Sequence, residues 1–200
     1  MNRPFLLGLT GSIGMGKSTT AAMFRDEGIP VWDADAAVHR AYTPGGAAVS
    51  AIAALHPQAI VDGAVDRGAL KDWIATDPAA LRQIEAAVHP IVAADRAGFI
   101  ARAAREGARL VVLDIPLLFE TGADRDLDAT VVVSVPAEVQ RERVLARPGM
   151  TAEQLSLILA RQMPDADKRA RATYLIGTET LEAARSAVRN LIASIGATHA

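Results

Sequence analysis

Two hundred residues are enough for one sizeable domain with its own core, and a second full domain is not expected. Half of the residues are hydrophobic and the formal charge is −2, so the chain reads as an ordinary globular protein with no basic coat; neither a nucleic-acid partner nor a membrane partner is expected. The absence of cysteine excludes a disulfide scaffold and a thiolate metal site, and fits a reducing compartment.

Phe5 to Thr10 is short, apolar and followed by glycines, which predicts a buried strand. The same stretch is too short for a signal-peptide core and is broken by Thr10-Gly11-Ser12. No run approaches the length of a membrane span, so a cytoplasmic location is expected. Lys17 to Glu27 predicts a helix with Gly28 as its stop, Ile29 to Asp33 a second strand, and Ala34 to Tyr42 a helix closed by Pro44-Gly45-Gly46. An Ala-rich stretch with breaks at His56-Pro57 and Asp62-Gly63 follows. Asp77-Pro78 opens a long helical region to about Glu106, with Pro90 predicting a kink or boundary inside it. Leu110 to Asp114 and Ala129 to Val135 predict a third and a fourth strand. Pro136 opens a helix that stops near Pro148-Gly149. Thr151-Ala-Glu-Gln154 has capping-box form and predicts a further helix ending before Pro164. Tyr174 to Gly177 predicts a fifth strand, and Thr180 to Ala193 the final helix. Short apolar strands alternating with helices predict an α/β fold, a parallel sheet of about five strands with helices on both faces.

Gly11-Ser-Ile-Gly-Met-Gly16-Lys17-Ser18 matches G-x-x-x-x-G-K-[ST] and sits after a strand and before a helix, where that motif must sit. Each residue type has a physical reason. Glycines allow positive φ and a close approach to phosphate. Loop amides form an anion nest, and the helix beginning near Lys17 points its positive end at the same place. Lys17 can reach the β and γ phosphates and Ser18 can offer a hydroxyl to Mg2+. Lysine is otherwise rare in this arginine-rich chain, occurring only at 17, 71 and 168. The loop predicts nucleoside triphosphate binding and leaves three classes open: a kinase of a small acceptor, a hydrolytic switch or motor, and a non-catalytic nucleotide sensor.

A guanine-nucleotide switch reads its base with Asn-Lys-x-Asp. The only asparagines are Asn2 and Asn190, neither followed by lysine, so that class is excluded. A kinase needs a group that orients and deprotonates a hydroxyl. "VWDADAAVHR" places Asp33 and Asp35 at the end of the second strand, where parallel α/β sheets collect ligands. One of the two is expected to cap the next helix and the other to reach the acceptor. Cations that cover the transferring phosphate are also needed. Arg141, Arg143 and Arg147 follow the fourth strand, with Arg143 and Arg147 four apart and thus on one helix face; a solvated charged face has the same pattern. Arg161, Arg169 and Arg171 are weaker candidates. Asp114 closes the third strand, suited either to Mg2+ or to ordinary capping.

"GLTGSIGMGKST", "DADAAVHR", "VHPIV", "LDIPLLFETG", "VVVSVPAEVQRERVLAR" and "LARQMPDADKRARATYLI", in that order from about Leu7 to Ile176, resemble the dephospho-coenzyme A kinase family. "DADxxxxR" and "PLLFE" are more specific to it than the P-loop.

The resemblance implies a P-loop kinase fold of the nucleoside monophosphate kinase kind. It implies one domain over residues 1–200, a core with a helical acceptor-binding insert at about 36–106 and a lid at about 137–172. It further implies transfer of the γ-phosphate of ATP to the ribose 3′-hydroxyl of dephospho-coenzyme A, the last step of coenzyme A synthesis. Other small acceptors, such as a nucleoside monophosphate or shikimate, are the rival reading, and a non-catalytic ATP sensor is the second. By motif position the base falls on Asp35, with Lys17 and Arg143 as the other catalytic groups. ATP contacts fall on Gly11, Ser12, Ile13, Gly14, Met15, Gly16, Lys17, Ser18 and Thr19, with Arg143 and Arg147. The acceptor side takes Asp35, His89 of the His-Pro pair and Leu117 of "PLLFE". Mg2+ would be held by Ser18 and Asp114. The chain departs from the family pattern at Ser12 and Met15, where the family usually has glycine and serine, and near the C-terminus. There "YLIGTE" offers Thr178 in place of the family's asparagine beside the adenine. A mostly apolar groove in the insert would suit the pantetheine arm. Oligomeric state has no marker in the sequence.

Overall fold

The structure is a computed structural model and describes residues 3–198. In chain order the elements are β1 (Phe5–Thr10), α1 (Lys17–Asp26), β2 (Val31–Asp33), α2 (Ala34–Tyr42), α3 (Val49–Leu55), β3 (Ile60–Val61), β4 (Ala64–Val65), α4 (Arg67–Thr76), α5 (Ala80–Arg105), β5 (Leu110–Asp114), β6 (Ala129–Ser134), α6 (Ala137–Leu145), α7 (Ala152–Leu159), α8 (Asp165–Arg171), β7 (Tyr174–Gly177) and α9 (Leu181–Thr198). Five strands form one parallel sheet in the order β2-β5-β1-β6-β7. β1 lies at its centre, with Leu9 opposite Asp114 of β5 and opposite Val131 of β6.

The chain divides into two compact units, residues 1–32 with 103–200, and residues 33–102. In the first, the inner strands β1, β5 and β6 are buried along nearly their whole length, as expected of strands covered on both faces, while the edge strands β2 and β7 are partly exposed. Leu7, Leu9, Val112, Val131 and Val133 of the sheet pack with Met23 and Phe24 of α1 and with Val188 and Leu191 of α9. α1 forms because Thr20, Ala21, Met23 and Phe24 put a buried stripe on one face, and it stops where Gly28 takes φ 77.

The second unit has its own core, in which Ala41, Ala48, Ile52, Ala59, Ile84 and Val88 are buried. The Ala-rich stretch is thus structured rather than merely broken: α3, a two-stranded hairpin and α4 fill it. The hairpin turns at Asp62-Gly63, where Asp62 takes φ 49 and Gly63 φ 76, the geometry a two-residue turn between antiparallel strands requires. Asp66 then caps α4, its Oδ1 accepting from Gly68 N at 2.6 Å and from Ala69 N at 3.1 Å. The expected boundary at Pro90 is corrected: α5 runs unbroken from Ala80 to Arg105 with Pro90 inside it and exposed. α9 continues past the expected end at Ala193 because Ile195 adds another buried position to its apolar face.

Phe24 is fully buried between α1 and the sheet. Phe24→Ala should leave a cavity and lower unfolding free energy by about 3–5 kcal/mol in chemical denaturation. A loss under about 1 kcal/mol would show that α1 does not depend on that contact.

Candidate active site

The chain leaves β1 at Thr10 and enters α1 at Lys17 through a loop that only glycine permits at its turning points. Gly14 has φ +79, and a Cβ there would meet Val144 Cγ2 at 2.5 Å; Gly16 has φ +87, and a Cβ would meet Thr178 Oγ1 at 2.9 Å. Gly16 is the N-cap of α1, no side chain caps that end, and its first turn holds no acid. The amides of the first turn therefore face outward at the positive end of the helix dipole, ready for an anion.

The loop is anchored to its surroundings at two residues. Met15, expected among the ATP contacts, has its side chain in the core: it is 2% exposed, and its Sδ accepts from Val135 N at 3.2 Å. Its carbonyl accepts from Thr178 Oγ1 at 2.7 Å. Ile13 donates its N–H to Gln162 Oε1 at 3.2 Å and accepts from Gln140 Nε2 at 2.8 Å through its carbonyl. Ser12 is buried, and its Oγ has no hydrogen-bond partner among the described residues.

Lys17 Nζ lies 2.5 Å from Asp114 Oδ1. Asp114 ends β5 beside β1 and is 2% exposed, and a carboxylate buried to that extent is costly unless it is paired, as it is here with Lys17. Ser18 and Thr19 are exposed on the first turn of α1. The Ser18 hydroxyl and the Asp114 carboxylate are hard oxygen donors of the kind Mg2+ takes, and such an ion would complete its shell with phosphate oxygens and water. Among the described residues no cluster of three or more acids or histidines could hold a metal alone. This donor set therefore fits an ion that arrives with a nucleotide.

Beside the loop is a cavity of about 320 Å³ lined by Gly14, Gly16, Thr19, Arg143, Arg147 and Thr178, among others. Arg143 is on α6, and its guanidinium donates to Thr178 O at 2.8 Å and to Glu179 O at 3.2 Å. Arg147 lies beyond the C-cap of α6 at Ala146, so the two arginines do not share a helix face as their spacing predicts; they meet at the cavity instead. Arg141, Arg161 and Arg169 are exposed, and Arg171 pairs with Asp124 at 3.3 Å and stacks over Phe119. Leu117 is 40% exposed in the segment after β5.

In the second unit the paired acids divide their work. Asp33 is the N-cap of α2, its Oδ1 accepting from Ala36 N at 2.9 Å. Asp35, in the first turn of α2, is exposed, and among the described residues its carboxylate makes no such bond. His89 is exposed on α5 next to Pro90. This unit has a cavity of about 480 Å³ lined by Ala37, Ala41, Ala47, Ile91 and Val92 with the Arg40–Asp95 pair. Ala37 lies about 200° around α2 from Asp35, so cavity and carboxylate occupy opposite faces of that helix.

Four residues were missed from sequence: Gln140 and Gln162, which hold Ile13 of the loop, and Glu120 and Lys168, which lie further from it. Lys168 is fully buried, 2.8 Å from Glu120 Oε1, and Glu120 Oε1 also accepts from Met163 N at 2.8 Å. Only the rarity of lysine in this chain pointed to Lys168. Burial alone would raise the Glu120 carboxyl, but the Lys168 ammonium and the Met163 amide outweigh it and hold it below the ordinary glutamate value. A depressed carboxyl stabilises the fold above its unfolded value, about 4.3, and that contribution is lost as pH falls through the folded value. Thermal unfolding from pH 6 downward should show wild type losing stability faster than Glu120→Gln. Parallel curves would show that the pair contributes nothing to acid stability.

A profile of the Dephospho-CoA kinase family matches residues 5–182. The chain is 63% identical over 193 residues to a dephospho-CoA kinase of Cereibacter sphaeroides, covering 96% of each protein, and 60% identical to that of Jannaschia sp., covering 96% of this chain and 97% of the other. A crystal structure from Thermus thermophilus superposes with a TM-score of 0.83 at 36% identity, over 96% of this chain and 98% of that one. A dephospho-CoA kinase structure from Campylobacter jejuni, 19% identical, superposes with a TM-score of 0.66 over 97% and 98%, which shows the shared fold. With the family profile spanning the loop, both acid segments and the arginine-bearing helix, the chain belongs to the dephospho-CoA kinase family.

Proposed function

We propose that this kinase transfers the γ-phosphate of ATP to the ribose 3′-hydroxyl of dephospho-coenzyme A, giving coenzyme A. The observation that carries the reading is the uncapped, acid-free N-terminus of α1 beside the Lys17–Asp114 pair, in a chain of this family. A triphosphate would lie along the loop from Gly11 to Thr19, with the amides of the first turn and Lys17 taking its β and γ oxygens. Ser18 and Asp114 would hold the Mg2+ that accompanies ATP; when bound, that ion neutralises charge on the phosphates. Lys17, at present paired with Asp114, would then turn its charge toward phosphate.

Asp35 is the group assigned to the acceptor. Because Asp33 already fills the cap, Asp35 is free to accept a hydrogen bond from the sugar hydroxyl and take its proton as the new P–O bond forms and the bond from the γ-phosphorus to the β–γ bridging oxygen breaks, with ADP as the leaving group. Arg143 and Arg147 line the cavity at the loop and are assigned to the charge that develops on the transferring group. The base of the nucleotide is assigned to the same cavity. Thr178 there uses its hydroxyl on Met15 and accepts from Arg143, so its side chain has no proton left to donate to a base. His89 and Leu117 are assigned to the acceptor side on family position alone. The partners are thus ATP and dephospho-coenzyme A. No described helix is long and apolar enough to cross a membrane.

The reading is tested by a panel of acceptors with ATP and Mg2+: dephospho-coenzyme A should be phosphorylated in preference to nucleoside monophosphates and shikimate. Preference for one of these, or ATP binding with no product from any acceptor, would overturn it. Asp35→Asn should keep ATP affinity within about twofold and reduce turnover by about 10²–10⁴. Turnover near the wild-type rate would remove Asp35 from the role of base.

A further inference from the structure

Ile13 is the one loop residue gripped at both ends of its main chain by side chains. Its carbonyl accepts from Gln140 Nε2 on α6 at 2.8 Å, and its N–H donates to Gln162 Oε1, just beyond α7, at 3.2 Å. The residue that follows it, Gly14, has φ +79 and Gly16 has φ +87, so this stretch of backbone has few intrinsic restraints. A loop that must present several amides to phosphate gains from having their directions fixed beforehand.

Gln162 is itself held in place. The next residue, Met163, donates its N–H to Glu120 Oε1 at 2.8 Å, and Glu120 pairs with the fully buried Lys168 of α8. At the start of α8, Asp165 Oδ2 accepts from Ser134 Oγ at 2.7 Å, which joins the helix to the end of β6. A continuous set of polar contacts therefore runs from the sheet through α8 and Glu120 to Gln162 and ends on the phosphate-binding loop.

We propose that Gln162 is a positioning residue for ATP: by holding the Ile13 N–H, with Gln140 on the carbonyl side, it sets the loop amides in the direction that phosphate requires. The proposal rests on the ATP-dependent reading above but not on the identity of the acceptor. Gln162→Met removes the acceptor at similar length, and Gln162→Glu keeps a carbonyl-type oxygen for the Ile13 N–H.

The test is a calorimetric titration of Mg-ATP into each protein without acceptor, together with steady-state kinetics and amide exchange by NMR. Gln162→Met should raise the ATP dissociation constant and the KM for ATP by about tenfold, leave the KM for dephospho-coenzyme A within about twofold, and speed exchange of the Ile13 amide. Gln162→Glu should keep the slow exchange of Ile13. Should Gln162→Met not fold, Gln162→Ala takes its place with the same expectations. Unchanged ATP affinity in the truncated variant, unchanged Ile13 exchange, or ATP and acceptor constants rising together with a fall in melting temperature would overturn the proposal. Failure of wild type to phosphorylate dephospho-coenzyme A would instead strike the functional reading, because the ATP titration needs no acceptor.

Discussion

The uncapped N-terminus of α1 can present its amides to one point only while the loop before it is held in a single conformation. Backbone dipoles do not supply that restraint; packing does. Met15 lies in the core, its carbonyl is tied to Thr178, and Ile13 is held by two glutamines. The central sheet matters to function chiefly as the rigid base for these contacts. β1 delivers the loop, β5 delivers Asp114 to the side of Lys17, and the segments after β6 and β7 supply Gln140, Arg143 and Thr178.

Charge is arranged in the same spirit. A carboxylate as buried as Asp114 would be costly alone, and Lys17 compensates it in the structure described. The pairing suits lysine rather than arginine: a flexible ammonium makes a compact contact with one carboxylate oxygen, whereas a planar guanidinium favours one fixed bidentate geometry. Glu120 and Lys168 repeat the pairing further from the loop, where the carboxylate also orders the chain through the Met163 amide.

Much of this was legible in the sequence. The strands at Phe5–Thr10, Leu110–Asp114 and Tyr174–Gly177 have the bounds their apolar runs indicate, and Thr151 and Gln154 form the capping box their spacing predicts. The second unit was the least legible. Its longest helix, α5, has no marked apolar face and its Ala-rich segment is divided among short elements, whereas Asp62-Gly63 is a strong hairpin signal and Asp66 a strong cap signal. Pro90 does not end the helix: of the two readings its position allowed, the boundary fails because α5 continues past it despite the lost main-chain donor and the crowding of its ring against the preceding turn.

The sequence by itself determined where the glycine-rich loop stands between β1 and α1, since glycine, lysine and serine recur there at the fixed spacing of a phosphate-binding motif. It also offered Asp33 and Asp35 as alternative caps for α2. Only the tertiary structure decided which: Asp33 takes the cap, for its backbone is still extended while Asp35 is already helical. Tertiary structure likewise decided that Arg147 reaches the cavity from outside the helix, and that Gln140 and Gln162, 22 positions apart in sequence, close on the same peptide. Such contacts join segments that share no local pattern, so no window along the chain contains them.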